Sequence, residues 1–165
     1  PSLVFVPEVT PLLEALEEIL NPRVVTYTGK LYKAWQLLRG IGEEKSPYEN
    51  VLHEVASDLE ALNKKLSEKD GAVVGINSFT LDGDKTAIKD AKDILTKKGV
   101  SYKNIWFDSK SEAGKLTSGL YSYPTTYVVD KNGNIVGQPI VGGITAPDQA
   151  KKLNELIDQA LASSK

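Results

Sequence analysis

The sequence predicts an α/β fold in which a central mixed β-sheet is flanked by helices. Three features in the second half of the chain support this prediction: a short apolar strand with a helix after it, a β-hairpin, and a final helix. They lie at residues 72–77 and 85–97, 123–137, and 147–162. The length of 165 residues suits one domain with a sizeable core, so we predict a single domain over residues 1–165.

The strand and the helix after it are the clearest pair. Residues 72–77 read AVVGIN, a continuous apolar run that is typical of a parallel strand buried on both faces. In residues 85–97 the apolar side chains recur at helical spacing, at Ile88, Ala91 and Ile94. A strand followed by such a helix predicts a crossover connection to a parallel neighbouring strand.

The hairpin has an unusual entry. Residues 125–129 are β-branched or aromatic, as a strand prefers, and Asn132-Gly133 supplies the positive φ of a tight turn. Pro124 stands at the start of the first strand, where its missing N–H removes no ladder hydrogen bond. Because an X-Pro bond in that place can be fixed in the cis form, we expect the Tyr123–Pro124 bond to be cis.

Two further helices have recognisable start signals. Thr145-x-x-Asp148 can cap the final helix. Ser46-Pro47-Tyr48-Glu49 combines a capping box with proline at the first helical position, and it predicts a helix over residues 47–69. The apolar stripe of that helix consists of Leu52, Val55, Leu59, Leu62 and Leu66.

Taken together, residues 71–161 resemble the TlpA/ResA branch of the thioredoxin superfamily, the extracytoplasmic thiol-disulfide oxidoreductases. The matching pieces are VVGIN, the segment around Asp108, YPTTYVVDKNGNIVG, and Val141-Gly142-Gly143 before the last helix. The resemblance implies a thioredoxin-like fold. It also implies thiol-disulfide exchange on extracytoplasmic protein thiols and disulfides, a redox partner protein and no cofactor.

The same resemblance implies a location and a binding edge. Family members are secreted or tethered by a membrane anchor, which here would lie upstream of Pro1. The substrate-binding residues would be Tyr123, Pro124 and Thr125. In this arrangement the backbone of Tyr123 is free to pair with an extended substrate segment by strand addition.

The first half of the chain fits the family less well. Residues 3–6 resemble the opening strand, expected beside residues 72–77 and 125–129, and residues 8–20 resemble the helix that follows. The family's Cys-x-x-Cys loop should stand between them, but the chain contains no cysteine and no methionine. Val6 runs directly into Pro7, although a strand-to-helix connection commonly takes about two to six residues. Proline also disfavours helical geometry at Val6.

Two explanations of the missing loop remain open. In the first, the catalytic cysteines belong between Val6 and Pro7, and these residues are not covalently adjacent in the molecule. In the second, the chain is truly free of cysteine. It then acts as a non-catalytic module of the same fold that binds a peptide or a protein.

Residues 21–45 are not required by a compact thioredoxin plan, and we predict that they form a helical insertion. Asn21-Pro22 ends the preceding helix. Aromatic residues such as Tyr27 and Trp35 stand beside basic residues such as Lys30 in this segment. The segment is interpreted either as a short amphipathic helix that covers the core or as a surface that faces a partner.

Other functions are disfavoured by composition and spacing. A net charge of −2 argues against nucleic-acid binding, which needs clustered lysine and arginine. No apolar run approaches the length that spans a membrane. His53 lies off the apolar stripe of its helix and is predicted to be solvated. The acidic segments at Asp82 and Asp130 lack the spacing of a calcium loop, so we predict turns there and no metal site.

Overall fold

The computed structural model describes residues 5–7, 23–32 and 48–162, with side chains at residues 23–29 and 51–162. Within these residues, six strands form one mixed sheet and two more form a small antiparallel ribbon. In spatial order the sheet contains β1 (Phe5–Pro7), β6 (Lys103–Trp106), β5 (Ala72–Asn77), β2 (Arg23–Thr28), β7 (Thr125–Val129) and β8 (Ile135–Val141). The ribbon contains β3 (Lys30–Tyr32) and β4 (Tyr48–Asn50).

Helices connect these strands. They are α1 (Leu52–Ser67), α2 (Lys85–Lys97), α3 (Glu112–Gly119) and α4 (Pro147–Ala162), and a 3-10 turn spans Ser78–Gly83. Two of the helices begin at side-chain caps. Asp84 accepts the backbone N–H of Ala87 at 2.9 Å, and Ser111 accepts that of Gly114 at 3.0 Å. The predicted strand at residues 72–77 and the predicted helices at 85–97 and 147–162 are confirmed.

The sheet is mixed, as predicted. Strands β1, β6, β5 and β2 run parallel to one another, whereas β7 is antiparallel to β2 and β8 is antiparallel to β7. Alternate residues of a strand point to opposite faces, so the sheet has two apolar cores. One core packs Val24 and Val73 against α1, α2 and α4, and the other contains Val25, Ile76, Ile105 and Phe107.

The predicted helical insertion over residues 21–45 is wrong for residues 23–28, which form the central strand of the sheet, and for residues 30–32, which form a strand of the ribbon. Every residue of β2 is buried, because the strand has a neighbour on each side and a core on each face. The segment reads RVVTYT, with the β-branched and aromatic residues that strands favour. Its aromatic and basic residues had suggested an amphipathic helix, but tertiary pairing decides the conformation.

The expectation that a Cys-x-x-Cys loop belongs between Val6 and Pro7 stays a prediction. Strand β1 continues through both residues, and they pair with the consecutive residues Ile105 and Trp106. Proline is tolerated there because β1 is an outer strand of the sheet, and the N–H that proline lacks is not needed on an unpaired edge. Residues 5–7 do join the sheet, but beside β6 rather than beside β5 and β7. The predicted helix at residues 8–20 lies outside the described residues.

The helix predicted over residues 47–69 begins later than expected. Residues Tyr48–Asn50 pair with Lys30–Tyr32 in the ribbon, and α1 starts at Leu52. The apolar stripe is in the predicted place, because Leu52, Leu59 and Leu66 are all buried. The capping box at Ser46 lies outside the described residues.

Asp82 gives the fold an acid-sensitive contact. It adopts a left-handed backbone conformation with φ of 62°. Its carboxylate accepts the backbone N–H of Ser109 at 2.7 Å. Hydrogen bonds from the backbone and then the side chain of Ser109 lower the pKa of Asp82. A lowered pKa in the folded state means that the stabilisation is present above the unfolded pKa and is lost as the pH falls through the folded pKa.

We therefore expect Asp82→Asn to be less stable than the wild type at neutral pH and equally stable in acid. Asparagine tolerates the left-handed conformation, so the change removes chiefly the charge. Urea unfolding between about pH 7 and about pH 2 measures the difference at each pH. A difference of the same size at every pH would show that the charge of Asp82 contributes nothing.

Candidate peptide-binding edge

The candidate site lies where the carboxyl end of β2 meets the amino end of β7. These strands are antiparallel, and Tyr27 is paired with Thr125. The residues just beyond that pair are therefore Gly29 on one side and the Tyr123–Pro124 segment on the other. The peptide bond between Tyr123 and Pro124 is cis, as expected from the sequence.

The backbone around Pro124 is held from the far side of the hairpin. The N–H of Gly142 donates to the carbonyl of Pro124 at 2.8 Å. The hydroxyl of Thr125, which is buried, donates to the carbonyl of Ser122 at 2.8 Å. These two bonds fix the path of the chain through the cis bond. The N–H and C=O of Tyr123 take part in neither bond, and they lie between the two anchored residues, Ser122 and Pro124.

Gly29 allows a close approach at this corner. A Cβ atom built at Gly29 would lie 2.9 Å from Cδ2 and Cε2 of Tyr123, and it would also meet the hydroxyl of Ser78. Real Cβ atoms do not come that close to other atoms, so only glycine fits beneath the ring. The aromatic ring of Tyr123 therefore lies directly over the end of the central strand.

The phenol group of Tyr123 has two polar partners. Its O–H donates to the carbonyl of Thr117 in α3 at 2.5 Å. The side chain of Ser78 interacts with the same phenol and lowers its pKa. Burial raises the pKa of Tyr123, and the interaction with Ser78 opposes part of that rise. The phenol is accordingly neutral in ordinary buffers.

A row of buried polar side chains supports this corner from below. The side-chain amide of Asn77 donates to the hydroxyl of Thr28 at 2.9 Å, which ties the ends of β5 and β2 together. The carbonyl oxygen of the same side chain accepts the backbone N–H of Phe79 at 2.8 Å and caps the 3-10 turn. Asn77 thereby sets the position of Ser78, the first residue of that turn.

The backbone of Tyr123 itself is unpaired within the part of the chain that the structure describes. No backbone or side-chain hydrogen bond there involves its N–H or its C=O. A strand end with free backbone groups is a template for another extended segment. The predicted binding residues Tyr123, Pro124 and Thr125 thus come together at one edge.

Sequence reasoning missed the other contributors to this edge. Gly29, Ser78 and Thr117 come from three separate segments, and no motif marks them. After Thr28, the last residue of the central strand, the chain passes through Gly29 to Lys30. The chain then enters the ribbon and returns at Val51, whose N–H donates to the carbonyl of Gly29 at 3.0 Å.

No other chemical centre is evident among the residues described. They contain no group of three or more histidine, cysteine, aspartate or glutamate side chains that could hold a metal ion. His53, the chain's one histidine, is half-buried in the first turn of α1. None of the helices described is long and apolar enough to cross a membrane.

Comparison with solved structures identifies the architecture. The chain is similar to a protein from Chlorobium tepidum described as a thiol:disulfide interchange protein DsbE, with 20% identity and a TM-score of 0.56 over 88% of this chain and 83% of that one. It is also similar to a DsbF homologue from Corynebacterium diphtheriae, with 22% identity and a TM-score of 0.53 over 87% and 75% of the two chains.

A third similar structure is a protein from Neisseria meningitidis described as a thioredoxin, with 15% identity and a TM-score of 0.51 over 88% of this chain and 77% of that one. At these identities the likeness extends to the fold, which is thioredoxin-like. A family model described as Wadjet protein JetA matches residues 2–68, fewer than half of the chain. The comparison with curated proteins finds no similar sequence.

Proposed function

We propose that this chain is a non-catalytic, thioredoxin-fold module that holds an extended polypeptide segment at the Tyr123-Pro124-Thr125 edge. One observation carries the proposal: among the described residues the backbone of Tyr123 has no hydrogen-bond partner, and it lies beside the end of the central strand, where the chain continues into Gly29. An incoming strand can pair with that backbone. No thiolate is available in these residues to attack it.

Backbone pairing suits a site of this kind. Each residue offers one N–H and one C=O, so a partner that pairs with Tyr123 satisfies both groups at once. In strand addition the main-chain bonds supply affinity, whereas neighbouring side chains supply specificity. Because the flanking bonds of Pro124 and Thr125 already fix the edge, little ordering accompanies binding, which favours affinity.

Thiol-disulfide exchange is the second candidate, and the solved structures of similar fold favour it. That chemistry needs a thiolate that attacks a disulfide and a second thiol that resolves the mixed disulfide. None of the 165 residues can supply either. If the function is thiol-disulfide exchange, the thiols must be supplied by residues other than these 165. Protein thiols as substrates, a redox partner protein and an extracytoplasmic location are all supported by the family resemblance alone.

Binding is tested with S-carboxymethylated insulin B chain, an extended polypeptide without free thiols. We expect saturable binding by titration calorimetry, accompanied by changes in the amide NMR signals of Tyr123, Thr125 and Gly142. The amide of Gly99, at the far end of α2, should not shift. Absence of binding, or binding that shifts signals elsewhere and leaves this edge unchanged, would overturn the proposal.

Catalysis is tested with native insulin in the presence of dithiothreitol. We expect the rate of insulin reduction to equal the uncatalysed rate, because exchange requires a thiolate. A commercial thioredoxin serves as the positive control. Turnover above the uncatalysed rate would favour the second candidate.

A further inference from the structure

The side chain of Tyr123 joins the elements that surround the proposed binding edge. Its ring covers Gly29 at the end of β2, its O–H donates to Thr117 in α3, and its phenol interacts with Ser78 in the 3-10 turn. These elements come from three separate parts of the sequence, at residues 23–29, 78–83 and 112–119. The phenol is therefore a common point of attachment for all three.

The bond to Thr117 has a specific physical reason. The last four carbonyl groups of a helix have no partner within the helix, and α3 ends at Gly119. The carbonyl of Thr117 is one of these groups. Thr117 is fully buried, so water does not hydrate this carbonyl freely. The phenol of Tyr123 supplies the missing donor and caps the helix from six residues further along the chain.

The backbone of Tyr123 is thereby held on two sides. The side chain is fixed by Thr117 and Ser78, and the next residue, Pro124, is fixed by the N–H of Gly142. A backbone held in this way presents its N–H and C=O in one orientation. Without the phenol bonds, the segment from Leu120 to Tyr123 would depend on the bonds to the carbonyls of Ser122 and Pro124.

We propose that Tyr123 is a positioning residue, whose phenol fixes the orientation of its own backbone for strand addition. The effect on peptide binding rests on the proposed function, whereas the anchoring of the Tyr123 backbone by its phenol is a property of the free protein. Tyr123 thus has two roles: its backbone pairs with the partner, and its side chain holds that backbone in place.

Tyr123→Phe tests this directly, because it keeps the ring over Gly29 and removes only the hydroxyl. The matched control is Tyr121→Phe, since Tyr121 is two residues away and 92% exposed. In the free protein we expect amide hydrogen exchange of Gly142, whose N–H donates to the carbonyl of Pro124, to accelerate about tenfold in Tyr123→Phe, the effect of losing one buried hydrogen bond nearby. The amides of β5 should exchange at the wild-type rate. If the change only lowered the global stability of the protein, these amides would exchange faster as well.

Affinity for S-carboxymethylated insulin B chain should fall by a similar factor in Tyr123→Phe. If exchange of the Gly142 amide stays at the wild-type rate, or accelerates equally in Tyr121→Phe, the positioning role is overturned whatever the peptide does. If exchange accelerates while the wild type binds no peptide, the positioning role stands and the proposed function fails. Should Tyr123→Phe not fold, Ser78→Ala removes the hydroxyl that interacts with the phenol and must accelerate exchange of the same amide; exchange of Gly142 at the wild-type rate would overturn the role.

Discussion

Replacing Gly114 by alanine is expected to lower the free energy of unfolding by about 3 kcal/mol. Gly114 lies in the first turn of α3, and a Cβ atom there would meet the backbone of Asp108 and lie 2.9 Å from Cα of Ser109. The obstructing atoms belong to the backbone, so no side-chain rotation relieves the clash. Either α3 or the turn before it must move, and the caps from Ser111 and Tyr123 move with it.

The control for this change lies in the same helix. Nothing stands within 4 Å of a Cβ built at Gly119, so Gly119→Ala adds a methyl group in open space. Alanine has the higher helix propensity, and the control should be as stable as the wild type or slightly more so. Urea unfolding of both variants measures the contrast. Equal stabilities for Gly114→Ala and Gly119→Ala would refute the close packing at Gly114.

The features that could be predicted from the sequence are those with local signals. AVVGIN is apolar throughout, and Asn132-Gly133 defines the turn of the hairpin, with φ of 85° at Gly133. These two predictions need only a few neighbouring residues, because the conformation is set by side-chain shape and backbone sterics. The cis bond before Pro124 is expected from the family resemblance, since a strand start permits a cis X-Pro bond but does not require it.

The central strand could not be found in that way. Arg23–Thr28 pairs with Ala72–Asn77 on one side and with Thr125–Val129 on the other, so its identity depends on residues about fifty and a hundred positions away. Without that pairing, residues 23–28 fit an insertion as well as a strand. The sequence-based expectation places the active-site loop at Val6 and Pro7, which lie in an outer strand.

In the candidate site, too, some residues have a local sequence signal and others are brought there only by the fold. Tyr123, Pro124 and Thr125 are contiguous and carry a recognisable motif, so a binding role can be proposed for them from the sequence alone. Gly29, Ser78 and Thr117 acquire a role only because the fold brings them to the Tyr123 side chain. A glycine after a strand and a serine at a turn are common residues, and the contact with the phenol is what distinguishes them.

Gly29→Val is expected to reduce affinity for S-carboxymethylated insulin B chain more than tenfold. The added side chain occupies the space of the Tyr123 ring, which lies 2.9 Å from the position of the new Cβ. The ring must therefore leave, and the bonds of its phenol to Thr117 and Ser78 are lost with it. The free energy of unfolding should fall by about 1 to 3 kcal/mol, because side chains rather than backbone obstruct the new group.

A double-mutant cycle separates this mechanism from simple crowding of the edge. If valine acts by displacing the phenol, Gly29→Val combined with Tyr123→Phe should bind only slightly more weakly than Gly29→Val alone, because the second change removes a hydroxyl that is already displaced. Fully additive losses in the double variant would mean that Gly29 acts on the peptide directly, and the ring of Tyr123 would then have no part in the effect.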